Sequence, residues 1–262
     1  MKIKIISLML ALACVFSLAI PARATDAAQF TDASQIDRWE AVAALSQLGV
    51  INGKPDGSFD PAGNVTRAEA AKMIFLMGHG GEDVERTFNP EFDLDFFDTV
   101  GHWAEKYIKW CRQGHIINGR GDGSFDPDGY VTALEFAKMS LWLLGYGYDV
   151  KDYGLDGEKW AENTHKLAQE ANLYHALPEQ VIPRVSGNGD WESEPLSRET
   201  IVQMLYNDLQ ANIVSFLGIW GDPDKDVGEF TSDNWDGTPL TLIQAAFKYR
   251  SVKSLTLPAQ PE

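Results

Sequence analysis

Residues 51–66 read INGKPDGSFDPAGNVT, and residues 117–132 read INGRGDGSFDPDGYVT. Twelve of the sixteen positions are identical, at a spacing of 66 residues. Self-similarity at a fixed spacing means one supersecondary unit used more than once. Each copy has the same parts. An apolar pair enters, Val50-Ile51 or Ile116-Ile117. Gly53 and Gly119 follow, in a place that suits a left-handed helix end. Asp56-Gly57 and Asp122-Gly123 make a tight turn. Phe59 and Phe125 are the only bulky apolar side chains within the loops and are expected to pin them to a core. Pro61 and Pro127 stiffen the exit. Thr66 and Thr132 read as helix N-caps, with Glu69 and Glu135 three residues on to complete a capping box. The unit is a helix, a structured loop and a second helix. Any strand is expected in the loops after Gly53 and Gly119.

Outward from the loops, apolar residues recur at helical spacing. A first helix is predicted over about residues 36–49, with Val42, Leu45 and Leu48 on one face. A second runs from Thr66 to about Met77, with Met73, Ile74 and Met77 inward. Residues 78–92 are polar and read as an exposed linker. The next unit opens at Phe97-Asp98, continues through Trp103, Tyr107, Ile108 and Cys111, and ends in a helix from Thr132 to about Leu144. A weaker third copy lies in 157–212, with KWAENTHKLA at 159–168 and PLSRETIVQML at 195–205. Its loop lacks the Asp-Gly-x-Phe-x-Pro core, and Asn188-Gly189-Asp190-Trp191 stands in for Asp-Gly-Ser-Phe. Ser197 can cap its second helix, but Thr200 occupies the capping-box position. Thr238-Pro239 reads as the start of a further helix over about 239–250.

The fold class is therefore mainly α. The expected division is a signal peptide over 1–24, repeat 1 over 25–78, repeat 2 over 93–150, a degenerate repeat 3 over 153–212, and a C-terminal extension with a helix over 213–262. Lys2 and Lys4, an apolar run from Ile5 to Ile20 and Ala22-Arg23-Ala24 form the pattern of a secretory signal, cut before Thr25. No other stretch is long and apolar enough to span a membrane.

The formal charge is −16. Without the first 24 residues, 19 basic side chains face 38 acidic ones, a charge of −19. Nucleic-acid binding needs a basic face and is not expected. Cys111 is the one cysteine beyond the signal, so no internal disulfide is expected, and it reads as a buried helical residue. No His-Glu-x-x-His, Gly-x-Ser-x-Gly or Gly-rich phosphate loop occurs. The roughly 50 residues outside the repeats are too few for a usual catalytic domain, so the chain is not expected to be an enzyme. No cofactor is expected apart from calcium. Asp222, Asp224 and Asp226, with Asp233 at the twelfth position, have the spacing of a calcium loop, but Val227 stands where such loops need glycine. A solvated acidic turn is the competing reading. Arg67 and Arg198 each follow a helix N-cap, where a cation is electrostatically unfavourable. Free helix N–H groups beside a guanidinium make an anion site. The alternative is an exposed arginine without a role.

The motifs LGVING, DGSFDP and VTRAEAAKM (65–73) in repeat 1, with FFDTVGHWAEKYI (96–108), DGSFDP and VTALEFAKM in repeat 2, resemble the S-layer homology (SLH) domain. The resemblance implies a secreted protein with three repeats in a pseudo-threefold helical module. It implies grooves between adjacent repeats that hold an anionic, often pyruvylated, secondary cell-wall polysaccharide or another peptidoglycan-linked polymer. Other surface-layer subunits are the further implied partners. The residues it implies are Arg67 and Arg198, the opening aspartates Asp32 and Asp98, Trp103, and Trp160. Repeat 2 departs from the pattern, with Ala133 in place of the arginine. In repeat 1 the tryptophan position falls on Asp37, and Trp39 should face elsewhere. The expected best groove lies between repeats 1 and 2, with Arg67 on the anion and Trp103 on a sugar face. A structural packing module that has lost glycan binding is the alternative.

Overall fold

The computed structural model describes residues 27–83, 96–147, 153–214 and 239–261. The predicted signal peptide and the candidate calcium ligands lie outside these residues. Seven helices carry the described chain: α1 (Trp39–Gln47), α2 (Arg67–Gly78), α3 (Glu105–Gln113), α4 (Ala133–Leu143), α5 (Trp160–Glu170), α6 (Arg198–Gln210) and α7 (Leu242–Phe247). The first six form three helix–loop–helix units. The predicted inner faces are buried: Val42, Leu45 and Leu48 on α1, and Met73, Ile74 and Met77 on α2.

The units do not fold as isolated pairs. Each first helix packs on the second helix of the preceding unit, α3 on α2 and α5 on α4, and α1 closes the circle on α6. A ring of three backbone hydrogen bonds stands at the centre. Val65 N–H donates to the Leu196 carbonyl at 3.0 Å, Leu196 to Val131 at 2.9 Å, and Val131 back to Val65 at 3.0 Å. All three side chains are fully buried. One residue before each second-helix N-cap thus joins three distant segments about an approximate threefold centre.

The capping boxes of Thr66 with Glu69 and Thr132 with Glu135 both form. Ser197 caps α6 through the Thr200 N–H. Phe59 and Phe125 are 0% and 1% exposed and do pin their loops. Burying such a ring contributes roughly 1.5–3 kcal/mol.

Three expectations need correction. The left-handed helix exit is not at Gly53. It lies four residues earlier, at Gly49 (φ 75°), and the equivalent residues His115 and Asn172 also have positive φ. Glycine at 53 serves a close approach instead, because a Cβ there would stand 2.8 Å from the Phe30 ring. The paired strands, β1 (Arg184–Val185) and β2 (Trp191–Glu192), lie in the third loop rather than after Gly53 and Gly119. They flank the Asn188-Gly189 turn, so Trp191 rests half-buried beside His165 at 5.1 Å and does not replace Phe59 or Phe125. Finally, α7 starts after Thr241, whose own N–H donates to Gln244 Oε1 at 2.9 Å.

The described C-terminal segment returns to the start of α1. Trp39 Nε1 donates to the Pro258 carbonyl at 2.8 Å, and Gln260 Nε2 donates to the Ala33 and Ile36 carbonyls at 3.0 and 2.8 Å. Val252 and Leu255 are buried in the common core. The segment after α7 is thus a docked strap.

Candidate functional site

The N-termini of α2 and α6 are not open. Arg67 and Ala68 donate their N–H groups to the Gly129 and Pro127 carbonyls at 2.8 and 3.0 Å. Arg198 and Glu199 donate to Gly63 and Pro61 at 2.8 and 3.1 Å. The loop of the next unit has taken the donors that an anion would use, so the predicted helix-end anion site does not exist in that form.

The two arginines are neither exposed nor free. Each is buried and reaches across to the phenylalanine of the neighbouring loop. Arg67 Nε donates to the Phe125 carbonyl at 2.8 Å, and its guanidinium lies 4.6 Å from the Phe125 ring centroid. Arg198 Nε donates to the Phe59 carbonyl at 2.7 Å and Nη2 to the Asn52 carbonyl at 3.1 Å. Burial pulls both guanidinium groups below their ordinary value, opposed by Glu135 and Glu69 respectively. The two differ in how firmly a carboxylate holds them. Arg67 meets Glu135 at 2.8 Å, and Arg120 meets the same oxygen at 2.8 Å. Arg198 has Glu69 only at 3.7 Å.

A pocket of about 240 Å³ opens beside Arg198. Asn52 and Lys54 of the first loop, Glu69 and Lys72 of α2, and Trp103 before α3 line it with Arg198. Three units therefore contribute to one site, because α3 packs on α2 while the first loop holds Arg198. Trp103 is 55% exposed and offers an open aromatic face. Lys54 pairs with Asp60. Lys72 has Asp83 at 3.9 Å, and Asp83 is engaged more closely by Lys106 at 2.9 Å and by the Tyr107 hydroxyl at 2.8 Å. Those donors together hold the Asp83 carboxyl below the usual carboxylate range, against the opposing effect of its partial burial. The pocket thus carries three cations and one carboxylate in a chain of charge −16.

The grouping differs from the sequence expectation. Trp103 shares its pocket with Arg198, not with Arg67. Arg67 belongs to the next junction, where the Lys138 ammonium stands 5.4 Å from the Trp160 ring centroid. The reason is the direction of closure: each second-helix arginine reaches the loop of the following unit, and for α6 the following unit is the first. Ala133 leaves the third junction without this contact, its N–H donating to the Glu194 carbonyl at 3.2 Å. Asp32 and Asp98 hold their loops instead of lining the pocket. Asp32 accepts from Phe59 and Asp60 N–H, both at 2.7 Å, and Asp98 accepts from Phe125 and Asp126 at 2.9 and 2.7 Å. Sequence reasoning missed Asn52, Lys54 and Lys72. Lys72 was findable, since it follows Glu69 by three residues and so shares its helix face.

Among the described residues no group of three or more His, Cys, Asp or Glu is placed to hold a metal ion. No described helix is long and apolar enough to cross a membrane. Cys111 is fully buried, its thiol 3.6 Å from the Ala71 carbonyl, and burial pushes its pKa up.

A closed ring of helix–loop–helix repeats with a pocket between them defines the class of this protein, a helical repeat module. The family model of the S-layer homology domain matches residues 29–71 and 95–137. The chain carries two S-layer homology domains. It is 37% identical over 105 residues to cell surface glycoprotein 1 of Acetivibrio thermocellus, covering 37% of this chain and 4% of that protein. It is 35% identical over 120 residues to the cellulosome-anchoring protein of the same organism, covering 43% and 26%. The S-layer protein sap of Bacillus anthracis is 28% identical over 161 residues, covering 60% and 18%. The chain thus spans about a quarter or less of each of these relatives.

Proposed function

We propose that this protein is a secreted, non-enzymatic anchor of the cell surface, associated with the cell wall or surface layer. Its module binds, without a covalent bond, an anionic secondary polysaccharide of the wall. The names of the relatives, a cellulosome-anchoring protein and a surface-layer protein among them, support the wall association. The residues at 153–212 act as a degenerate third repeat, which supplies Arg198 to the first.

The observation that carries the reading is the meeting of Arg198, Lys72 and Lys54 with the open ring of Trp103 in one pocket. A chain of this charge repels a polyanion at long range, so binding must rest on a short-range cationic site. An exposed aromatic face beside cations suits a sugar that bears a carboxylate, such as a pyruvate ketal. The test is a pull-down with purified sacculi, before and after the wall polymer is stripped by mild acid. Binding to intact sacculi that is lost on stripping and weakened by Lys72→Ala supports the reading. Equal binding to both preparations overturns it.

A second reading has its own observation. Phe97, Val100 and Trp103 are 71%, 66% and 55% exposed within one short segment. Such a patch suits packing against another surface subunit. Self-association that Phe97→Ser abolishes while sacculus binding persists would assign the patch to assembly.

A further inference from the structure

The turn that carries Trp103 is held by a histidine. His102 Nδ1 accepts from the Ala104 N–H at 3.1 Å. Ala104 is fully buried and stands at the start of α3, where its own side chain makes no capping hydrogen bond. The ring proton of His102 therefore sits on Nε2, which faces the Asp128 carboxylate of the second loop at 3.5 Å. The imidazole lies 5.5 Å from the Trp103 ring between centroids, with 16% of its side chain open to solvent. The first unit satisfies the equivalent amide with different chemistry. There the Arg38 N–H donates to Glu199 Oε1 of α6 at 2.7 Å. On α2 the place of Glu199 is taken by Ala68, which offers no such acceptor. Ile36 and Lys159 stand at the position of His102 in the other two units, and Ala62 at that of Asp128 in the first loop. A titratable acceptor thus occurs only in the unit that carries Trp103.

We propose that His102 is a positioning residue for Trp103 and makes wall binding pH-sensitive: the neutral ring holds the tryptophan in place, and the protonated ring releases it. The inference rests on the reading of Trp103 given above. A protonated imidazole carries a hydrogen on both nitrogens and accepts at neither. The Ala104 N–H is then buried without a partner and faces another N–H, so the turn opens and Trp103 moves with it. Histidine is the side chain that changes charge between pH 5 and 8. The charged groups about the turn are Asp128, which favours the protonated ring, and Glu105 and Lys109 of α3. Glu105 pairs with Lys109 at 2.7 Å and accepts from the Gly101 N–H at 2.8 Å. These donors hold its carboxyl below the ordinary value, so it stays ionised across that range. Acid also lowers the negative charge of the chain and with it the long-range repulsion of a polyanion. General electrostatics therefore gives tighter binding in acid, whereas His102 gives weaker binding.

The experiment measures binding to intact sacculi at pH 8 and pH 5. The wild type should bind about tenfold or more weakly at pH 5, since one linked proton gives up to about tenfold per pH step. His102→Asn places an acceptor oxygen where Nδ1 stands and does not titrate. It should bind equally at both pH values, at the level of the wild type at pH 8. Asp128→Asn changes a side chain that is 87% exposed. It should carry the loss to lower pH, because the protonated ring no longer meets a carboxylate. A second readout needs no wall polymer. The difference in emission between the wild type and Trp103→Phe reports Trp103, and its maximum should shift between pH 8 and 5. The same difference in a His102→Asn background should stay constant. Equal wild-type affinity at both pH values, or a loss at pH 5 that persists in His102→Asn, overturns the proposal. If His102→Asn lowers the thermal midpoint, Asp128→Asn decides, and a profile identical to that of the wild type overturns it. If intact and stripped sacculi bind alike, the wall-polymer reading fails. A constant Trp103 emission maximum then overturns the positioning role, and a His102-dependent shift supports it.

Discussion

Arg198 and Phe59 stand 139 residues apart, and the guanidinium Nε of one donates to the carbonyl of the other at 2.7 Å. This contact closes the circle of repeats. It also brings a cation from the third unit into a pocket whose floor belongs to the first and whose aromatic wall belongs to the second. The pocket is therefore a property of the closed ring.

Arg198→Ala should unfold more readily than the wild type by roughly 1.5–3 kcal/mol, the range for hydrogen bonds from a charged group. It also leaves the Phe59 and Asn52 carbonyls without that donor. Arg67→Ala should lose a similar amount yet keep wall binding, since Arg67 does not line the pocket with Trp103. Urea denaturation and sacculus pull-downs on both variants check the pair of outcomes. Loss of binding in Arg67→Ala alone would restore the sequence-based grouping.

Trp103→Ala should separate binding from stability. The ring is more than half exposed, and surface substitutions usually stay within about 0.5 kcal/mol. Affinity for wall polymer should fall about tenfold, equivalent to about 1.4 kcal/mol. A drop in denaturation midpoint without a change in affinity would make Trp103 a packing residue.

Phe125→Ala should destabilise by about 3–5 kcal/mol, because the ring is fully buried and the loop closes over it. Asp98→Ala should cost less, about 1–3 kcal/mol, through two loop N–H groups left without their acceptor. Equilibrium unfolding in urea measures both. The reverse order would show that the carboxylate, rather than the ring, organises the loop.

Asp208 should make stability fall with rising pH. It is fully buried on α6, where its Oδ2 accepts from the Ser140 hydroxyl at 2.8 Å and its Oδ1 lacks a hydrogen-bond partner. Burial pushes its carboxyl up to about 7, from an ordinary 3.8. Between about pH 4 and 7 the unfolded chain has released this proton while the folded chain keeps it. The contribution of Asp208 to stability is therefore fully present below about pH 4, is lost through that window, and is level above it. The loss runs at roughly 1.4 kcal/mol for each pH step of one within the window. Asp208→Asn should remove this slope and be the more stable protein at pH 8. Urea midpoints at pH 5 and 8 for both proteins give the difference, and parallel changes would refute the assignment.

Removal of the residues after Arg250 should destabilise the module by about 3 kcal/mol or more. It strips the buried Val252 and Leu255 and the donors and acceptors that meet Trp39, Ala33 and Ile36. Thermal unfolding of the shortened chain tests this, and an unchanged midpoint would mean that the strap is only laid on the surface.

The sequence by itself determined the unit. The capping threonines, the Asp-Gly turns and the loop phenylalanines act through contacts within a few residues or through burial of one ring, so their roles can be read from spacing. The helical period placed the inner faces of α1 and α2 for the same reason, and the two family motifs were legible at once. The ring was not, because its hydrogen bonds from Val65 to Leu196 and from Leu196 to Val131 join residues that no local rule relates. Tertiary structure alone decided that the loop carbonyls take the helix N–H groups, that Asp32 and Asp98 tie loops down, and that Arg198 rather than Arg67 meets Trp103. A buried guanidinium needs acceptors on every side. Which acceptors it finds is set by how the three units close, and closure is fixed only when the whole core is packed.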